Sequence, residues 1–510
     1  MLPSANHATQ QSQHHLRGIH RHVIDAIEEL RQKHEASDND NYGHHLCVRE
    51  LPRNSLLLRH ASIDYLVQYL YVDRSIASLE MNYCHLGQSI LQDERVLELL
   101  VDYLQHETAC SIIRLQLGGN RLGDNATATL LQALEKNRTV RQLDLNTNYI
   151  ERIGDVIAHY LASTSCLERL TLSYNWLSNT SMADLSQGLT LCPTLCELNL
   201  HGCVLGNDGI KPLVEALLLS NNTSDIGGGL QVLRLGLTEI TDVAILARLV
   251  EANTALRVLD LSWNPEILTM CAEDDFEPTT TTNNRSVEDH SMNQDSRNTG
   301  EQDVSDESEM NAPDTQQLQL LASSRLGKAL AHNTTLKTLV LTRCGFSIRT
   351  VQPIWKALTI NTTLTTLDLR ENSIFGDDIV DLESLEQPPW SIHLPRIRGL
   401  RTLHLDLLPP SMVKEKSPLQ LNFSLFSIVI SSGKPFPGAT TSPNYNHHHP
   451  QELMDILVRN RIYEKVQQAL RLDSSGQRGR LLVFPLAAHS PLYVAALHLL
   501  IRDRLVSWME

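Results

Sequence analysis

One phrase of eleven residues recurs through most of the chain and constrains its fold more than any other feature. It reads apolar-x-x-Leu-x-Leu-x-x-Asn/Cys-x-apolar, as in VRQLDLNTNYI from Val140 and LERLTLSYNWL from Leu167. Ten copies keep one register, with a recurring step of 27 or 28 residues and longer steps where loops are inserted, and their central leucines are Leu79, Leu115, Leu143, Leu170, Leu198, Leu233, Leu259, Leu339, Leu367 and Leu403. A repeat of this period predicts a solenoid in which each unit packs on its neighbours.

Each part of the phrase predicts one local structure. The Leu-x-Leu alternation predicts a short strand whose two leucines face a core. The Asn or Cys three residues later predicts a turn in which that side chain bonds backbone groups freed at the strand end. This turn slot holds Cys84, Asn120, Asn148, Asn175, Cys203, Thr238, Asn264, Cys344 and Asn372. Between phrases, segments such as 124–137 carry an apolar stripe at helical spacing, so we expect an α/β fold with parallel strands inside and helices outside.

The residues LQLGGNRLGDNATATLLQALEKNRTV (115–140) resemble the consensus of the ribonuclease-inhibitor-like leucine-rich-repeat family. That family includes ribonuclease inhibitors, Ran GTPase-activating proteins and the sensor halves of NOD-like receptors. The resemblance runs roughly from Ile76 to Asp406 and implies a horseshoe-shaped solenoid of about ten repeats. It implies little about function, because members share a scaffold and not a site.

The pattern divides the chain into three parts. Residues 1–45 are polar and His-rich, and we expect them to be largely disordered apart from a helix over about 18–34. Residues 46–408 form the solenoid with its N-terminal cap, and 409–510 read as a small C-terminal α+β cap of strand and helices. Residues 268–313 interrupt the array with an acidic stretch that is poor in bulky apolar side chains, which predicts disorder. We expect this insertion to leave one repeat and return to the helix of the same repeat.

The composition limits the cellular compartments and the classes of partner that suit this chain. The net charge is −16, and residues 271–310 supply twelve acidic side chains against two arginines, so the rest of the chain does not suggest a nucleic-acid-binding surface. Nine cysteines without a disulfide spacing favour a reducing compartment, and the N-terminus lacks an apolar core of a secretion signal. The apolar stretch 481–501 contains two prolines and reads as a buried element rather than a membrane span. We therefore expect a cytoplasmic chain (the nucleus is possible), which is not secreted, does not bind membranes and is monomeric.

The sequence carries no nucleophile elbow, phosphate loop or metalloprotease motif, and we expect no enzyme activity and no cofactor. Histidines cluster at 14–15, 20, 22, 44–45 and 447–449. A metal site needs ligands held at fixed geometry, usually with a Cys or carboxylate partner, and these runs lie in low-complexity segments, so we expect no specific metal site. A C-x3-C pair at Cys192 and Cys196 lacks the second pair that a zinc module needs.

The positions between and beside the strand leucines should point outward on the concave sheet. They carry both charge signs, which favours a charged protein partner of unknown identity. The candidate partner-binding residues are Glu80, Gln116, Asp144, Arg169, Asn199, His201, Arg234, Asp260, Asp368, Arg370 and, at the rim, Trp263. The hypothesis is a non-enzymatic protein-binding scaffold. The alternative, from the resemblance to Ran activators, is a GTPase-activating protein, although the acidic segment here is internal and theirs usually follows the repeats.

Overall fold

A computed structural model describes residues 20–36, 44–48, 58–106, 108–220, 229–269, 315–374, 389–406, 425 and 427–430. Within these residues one parallel sheet runs in chain order from the first strand to the last. Its strands are β1 (His44–Cys47), β2 (Ile76–Glu80), β3 (Arg114–Gln116), β4 (Gln142–Asp144), β5 (Arg169–Thr171), β6 (Glu197–Asn199), β7 (Val232–Arg234), β8 (Val258–Asp260), β9 (Thr338–Val340), β10 (Thr366–Asp368), β11 (Thr402–Leu405) and β12 (Ser427–Ile430).

Helices connect successive strands. They are α1 (Arg21–Ala36), α2 (His60–Val72), α3 (Leu86–Gln92), α4 (Arg95–Gln105), α5 (Gly123–Leu134), α6 (Gly154–Ser163), α7 (Asn179–Thr190), α8 (Gly206–Ser220), α9 (Val243–Ala252), α10 (Thr315–His332), α11 (Gln352–Leu358) and α12 (Pro389–His393), the last followed by a 3₁₀ turn at Leu394–Arg396. Because helices need about 8–10 Å between axes and strands only about 4.8 Å, a stack of such units curves with the strands on the concave side.

The predicted register is confirmed. The central leucines pair across neighbouring strands, for example Leu143 with Leu170 and Leu170 with Leu198. Both leucines of a strand are buried, as Leu198 and Leu200 show with no exposed surface. The chain is thus the predicted α/β leucine-rich-repeat solenoid, with a continuous aliphatic core between the sheet and the helices.

The turn slot performs the predicted backbone role. Asn175 is fully buried; its amide donates to the carbonyls of Leu145 and Leu172 at 2.9 and 2.8 Å, and its Oδ1 accepts from the N–H groups of Asn148 and Ile150 at 2.9 and 3.1 Å. Each asparagine of the slot therefore ties its own strand to the preceding repeat.

Other residue types meet the same requirement with fewer bonds. The Cys203 thiol donates to the Leu172 carbonyl at 3.2 Å, and the Thr238 hydroxyl donates to the Leu235 carbonyl at 2.6 Å. Burial raises the pKa of Cys203 to about 11, so this thiol stays protonated and able to donate. Thr238, which departs from the phrase in sequence, is therefore a working member of the slot.

The acidic insertion leaves the sheet undisturbed. β8 pairs directly with β9 through Leu259 and Leu339, although 80 residues separate these leucines in the chain. The description stops at residue 269 and resumes with helix α10 at Thr315. The chain thus re-enters the same repeat at its helix, as the sequence predicted.

Both ends of the solenoid differ from the sequence prediction. Within 1–45, the helix expected over about 18–34 is α1, but it buries Val23, Ile27 and Leu30 in the core, and β1 begins at His44 rather than at residue 46. At the other end, β12 pairs in parallel with β11 through Leu403 and Ile428. The sheet therefore continues past residue 408, since an isoleucine takes the place of the central leucine there.

The remaining C-terminal expectations, helices over 450–472 and 490–508 and the apolar stretch 481–501, lie outside the described residues. Of the helices within the described residues, none combines the length and the apolar character needed to cross a membrane.

Candidate functional site

The predicted outward-facing residues form a ladder on the concave sheet. One ladder runs from β2 to β11, each residue aligned with the next in register: Glu80, Gln116, Asp144, Thr171, Asn199, Arg234, Asp260, Val340, Asp368 and His404. All of these side chains are partly exposed except that of Asp368. The geometry that the sequence analysis assumed for this face is present.

Three acidic or amide members of the ladder also serve the backbone. Asp144, Asn199 and Asp260 each accept, through Oδ1, a hydrogen bond from the backbone N–H two residues further on, at 2.9–3.0 Å. These bonds stabilise the point at which each strand ends. These three residues therefore stabilise the scaffold, and one oxygen of each side chain is already occupied by a backbone hydrogen bond.

Asp368 does not fit the expectation of an exposed contact residue. Its side chain is buried, with 5% of the residue exposed, because Arg370 folds back on it with Nη2 at 2.6 Å from Oδ2. The ring of His404 lies on the next strand, 4.0 Å from the same oxygen. The carboxylate also holds the pKa of the Arg370 guanidinium above its usual value. Asp368 and Arg370 thus form a closed pair and not two free contact groups.

The exposed charges of the central repeats form a three-membered network. The carboxylate of Glu197 lies between two guanidinium groups, 3.5 Å from Arg169 Nε and 3.2 Å from Arg234 Nη2. Glu197 was absent from the candidate residues, although its position beside the central leucine, opposite Arg169, was readable from the register. Both arginines are held in place by this carboxylate while their outer faces stay open to solvent.

An imidazole and an aromatic ring lie in the turns that directly follow β5 and β6. His201 and Tyr174 contact each other edge to face, with ring centroids 5.4 Å apart. Two glycines of the following turns make room for them. A Cβ at Gly202 would lie 2.5 Å from the Tyr174 ring, and one at Gly236 would lie 2.4 Å from His201 Nδ1. We call Arg169, Glu197, Arg234, His201 and Tyr174 the central patch.

Aromatic side chains continue from the central patch along the rim, where the strands end. Trp176 exposes 61% of its surface while it stacks on Tyr149 of the preceding repeat, with ring centroids 4.8 Å apart and planes 11° from parallel. Trp263 is also exposed and lies under the Arg343 guanidinium, 4.3 Å from the ring centroid. These residues both pack on neighbouring turns and present a face to solvent.

The rim residues point outward because the backbone before each turn slot is left-handed. The residue that precedes the slot has a positive φ in every described repeat: Tyr83, Gly119, Thr147, Tyr174, Gly202, Leu237, Trp263, Arg343 and Glu371. This conformation costs a non-glycine residue about 1–2 kcal/mol. The turn-slot hydrogen bonds hold it in place in each repeat.

At the N-terminal end of the ladder, Glu80 faces β1. Its Oε2 lies 3.1 Å from His45 Nε2, and Asn82 donates to its Oε1 at 3.1 Å. The Cys47 thiol lies on the same face, and the nitrogen, sulfur and oxygen ligand atoms of His45, Cys47 and Glu80 are within 4.8 Å of one another. The sequence analysis predicted no metal site at His44–His45, since Glu80 reaches this pair only through the sheet.

Comparison with known proteins agrees with the fold. A family model described as "Leucine Rich repeat" matches residues 191–214 and 361–381. The chain is 34% identical over 172 residues to mouse "NACHT, LRR and PYD domains-containing protein 12", covering 33% of this chain and 16% of that protein. It is 34% identical over 142 residues to pig ribonuclease inhibitor, covering 26% of this chain and 29% of the inhibitor.

The chain thus spans less than a third of the length of either relative. Among solved structures, an internalin from Listeria monocytogenes aligns with 72% of this chain and 91% of its own, at 14% identity and a TM-score of 0.33.

Proposed function

We propose that this chain, a leucine-rich-repeat solenoid similar to proteins of the ribonuclease-inhibitor type, is a non-enzymatic scaffold whose concave sheet binds a protein partner. Proteins of this type typically bind proteins. The central patch carries the more specific proposal, because it joins ordered charges, hydrogen-bonding groups and an exposed aromatic ring on one open surface.

The two arginines of the central patch are already held in a fixed conformation, which favours binding. Arg169 and Arg234 are fixed by Glu197 before any partner arrives, so less side-chain freedom is lost when they form new contacts. A partner carboxylate can approach the outer face of either guanidinium in the bidentate geometry that arginine prefers. This arrangement suits a protein surface that alternates acidic and neutral polar groups.

The aromatic rim supplies the apolar part of such an interface. Tyr174 of the central patch and the rim residue Trp176 are exposed, and Trp263 with its covering Arg343 belongs to the same rim. Tyrosine, tryptophan and arginine are the side chains that most often dominate binding energy at protein interfaces. We propose that the partner contacts the central patch with its polar surface and the rim with its apolar anchors.

The same features argue for a protein rather than a nucleic acid. The central patch pairs its two arginines with one glutamate, whereas a phosphate backbone requires a row of basic groups that neutralise several charges. We also propose a reducing, cytoplasmic location, the nucleus being compatible with the same argument. The thiols of Cys203 and Cys344 donate to buried carbonyls at 3.2 and 3.1 Å, which requires them reduced.

A pair of double variants tests the proposal. Arg169→Glu with Arg234→Glu reverses both arginines of the central patch. Lys211→Glu with Lys328→Glu makes the same change in charge on exposed positions of helices α8 and α10, on the opposite side of the solenoid. Each full-length variant and the wild type is used to capture partners from a cell extract, with quantitative mass spectrometry of the bound proteins.

We expect a partner that the wild type and the helix variant retain equally and that the patch variant loses, while thermal melting stays the same for all three. Equal retention by the patch variant contradicts binding through the concave face. Stimulation of GTP hydrolysis by a small GTPase, measured with the same purified proteins, contradicts the non-enzymatic scaffold and favours the GTPase-activating alternative.

A further inference from the structure

Three side chains with metal-binding groups converge on the concave face of the first two strands. His45 and Cys47 are two residues apart on β1, on either side of the fully buried Leu46, so both project from the face opposite the core. Strand pairing aligns Cys47 with Glu80 on β2. The ligand atoms of the three side chains lie within 4.8 Å of one another.

The ring of His45 already has the orientation that a metal ligand needs. Its Nδ1 lies 2.8 Å from the Ser78 hydroxyl, and its Nε2 lies 3.1 Å from Glu80 Oε2. A histidine that binds a metal through one nitrogen usually donates the other N–H to an oxygen, which fixes the tautomer. Ser78 supplies that oxygen, and it leaves Nε2 as the ligand atom.

We propose that His45, Cys47 and Glu80 bind one Zn²⁺ ion, with a fourth, solvent-facing position taken by water. Imidazole nitrogen, thiolate and carboxylate are the ligand types of zinc, and a thiolate disfavours the hard cations Mg²⁺ and Ca²⁺, which take oxygen ligands. Three protein ligands with an open fourth position is the arrangement of zinc sites that accept an exchangeable ligand.

The distances allow the ion to fit with small movements. Zinc bonds of about 2.0–2.3 Å at tetrahedral angles place neighbouring ligand atoms about 3.5 Å apart. The imidazole and carboxylate already meet this spacing at 3.1 Å. The thiolate must approach by about 1 Å, a shift within reach of side-chain rotation at the partly exposed Cys47.

Binding the ion also changes the local charge. The structure places the Glu80 carboxylate 3.1 Å from the imidazole of His45. Zinc requires the neutral imidazole and the thiolate, so binding releases protons and weakens as the pH falls. The ion therefore replaces the direct contact between His45 and Glu80 with one metal–ligand bond to each of these residues.

Cobalt(II) binding tests the site in the purified, reduced, full-length chain. Cobalt takes the same tetrahedral sites as zinc and gives a thiolate-to-metal charge-transfer band in the near ultraviolet only when a cysteine is a ligand. The histidine tracts at 14–15 and 447–449 can bind cobalt through nitrogen but cannot give this band. We expect one equivalent of cobalt to produce it and one equivalent of Zn²⁺ to abolish it.

Point variants assign the ligands. Cys47→Ser should remove the charge-transfer band, and His45→Gln and Glu80→Gln should each weaken cobalt affinity about tenfold or more. Cys196→Ser and His22→Gln, at other partly exposed positions, serve as matched controls and should bind as the wild type does. Circular dichroism verifies that every variant is folded.

Two results overturn the proposal: no charge-transfer band in the wild type, or an undiminished band in Cys47→Ser. Wild-type affinity in both His45→Gln and Glu80→Gln also rejects it, because a lone thiolate then accounts for the binding.

Discussion

Asn175 offers the most quantitative test of how the scaffold supports the rim. It lies between the exposed aromatics Tyr174 and Trp176 in the chain, and its fully buried side chain makes five hydrogen bonds to backbone groups. Asn175→Leu keeps the approximate volume of the side chain and removes every one of these bonds. The substitution should therefore destabilise the turn and release both aromatic rings from their fixed orientation.

The magnitude follows from counting the groups that lose their partner. The carbonyl of Leu172 keeps the Cys203 thiol as a donor. The N–H groups of Asn148 and Ile150 and the carbonyl of Leu145 lose the partner that Asn175 supplies. A buried polar group left unsatisfied costs about 1–3 kcal/mol, so the total is at least about 3 kcal/mol.

Amide hydrogen exchange measures this effect locally, which suits a repeat array whose unfolding need not be a single cooperative step. A loss of about 3 kcal/mol should accelerate exchange at Asn148 and Ile150 roughly a hundredfold. Asn175→Cys is the matched control, because Cys203 occupies the same slot one repeat later. It should cost about two thirds as much, since a thiol can still donate to the Leu145 carbonyl, as Cys203 does to that of Leu172, while the two N–H groups stay without a partner.

Unchanged exchange at Asn148 and Ile150 in Asn175→Leu contradicts the expected loss of about 3 kcal/mol, because it means that water or a rearranged turn satisfies those N–H groups. Equal damage from Asn175→Cys and Asn175→Leu refutes the view that the slot accepts any small side chain with a donor.

Three further predictions concern the same scaffold. Gly202→Ala should lower the melting temperature more than Gly206→Ala. Both glycines have a positive φ, but a Cβ at Gly202 would lie 2.5 Å from the Tyr174 ring, while a Cβ at Gly206 would have no neighbour within 4 Å. Equal losses in the two variants show that the Tyr174 ring moves freely. Replacing 271–312 with a short Gly-Ser linker should change the free energy of unfolding by no more than about 1 kcal/mol, because loop entropy depends only logarithmically on loop length. A larger loss in urea denaturation contradicts the view that β8 and β9 pair without help from the insertion. Burial lowers the pKa of His393, so the unfolded chain binds the proton more readily, and the stability of the fold should fall as the pH drops from about 7 to 5. Thermal melting across that range should show a smaller dependence of stability on pH in His393→Gln than in the wild type. An unchanged pH dependence assigns the effect to other groups.

The repeat register was readable from the chain because the eleven-residue phrase keeps its internal spacing even where the distance between copies varies. Once Leu143 and Leu170 are aligned, the column that contains Asp144 and Thr171 follows without any structure. The insertion did not obscure this register, since the phrase resumes intact at Leu336. By contrast, the strand Ser427–Ile430 was not recognised as a repeat strand, because it has isoleucines in both leucine positions and follows an irregular spacing.

The candidate site was predicted in position but not in pairing. Sequence spacing put Asp368 on the concave face, yet Arg370 and His404 bury it. Glu197 gains its importance from two arginines on different strands, a relation that requires side-chain conformations as well as register. The grouping of His45 and Cys47 with Glu80 needed the alignment of β1, whose register shifts between His44 and His45.

The sequence by itself determined the solenoid, the turn slot and the column of outward-facing residues, because leucines and asparagines at a fixed period leave one arrangement that buries the former and satisfies the latter. Only the tertiary structure decided which charges are closed into pairs and which stay open. Side-chain contacts between strands depend on rotamers and on neighbours tens of residues away, and a periodic pattern does not encode them. The central patch and the His45–Cys47–Glu80 cluster therefore emerge from the folded sheet, on a scaffold that the repeat had already specified.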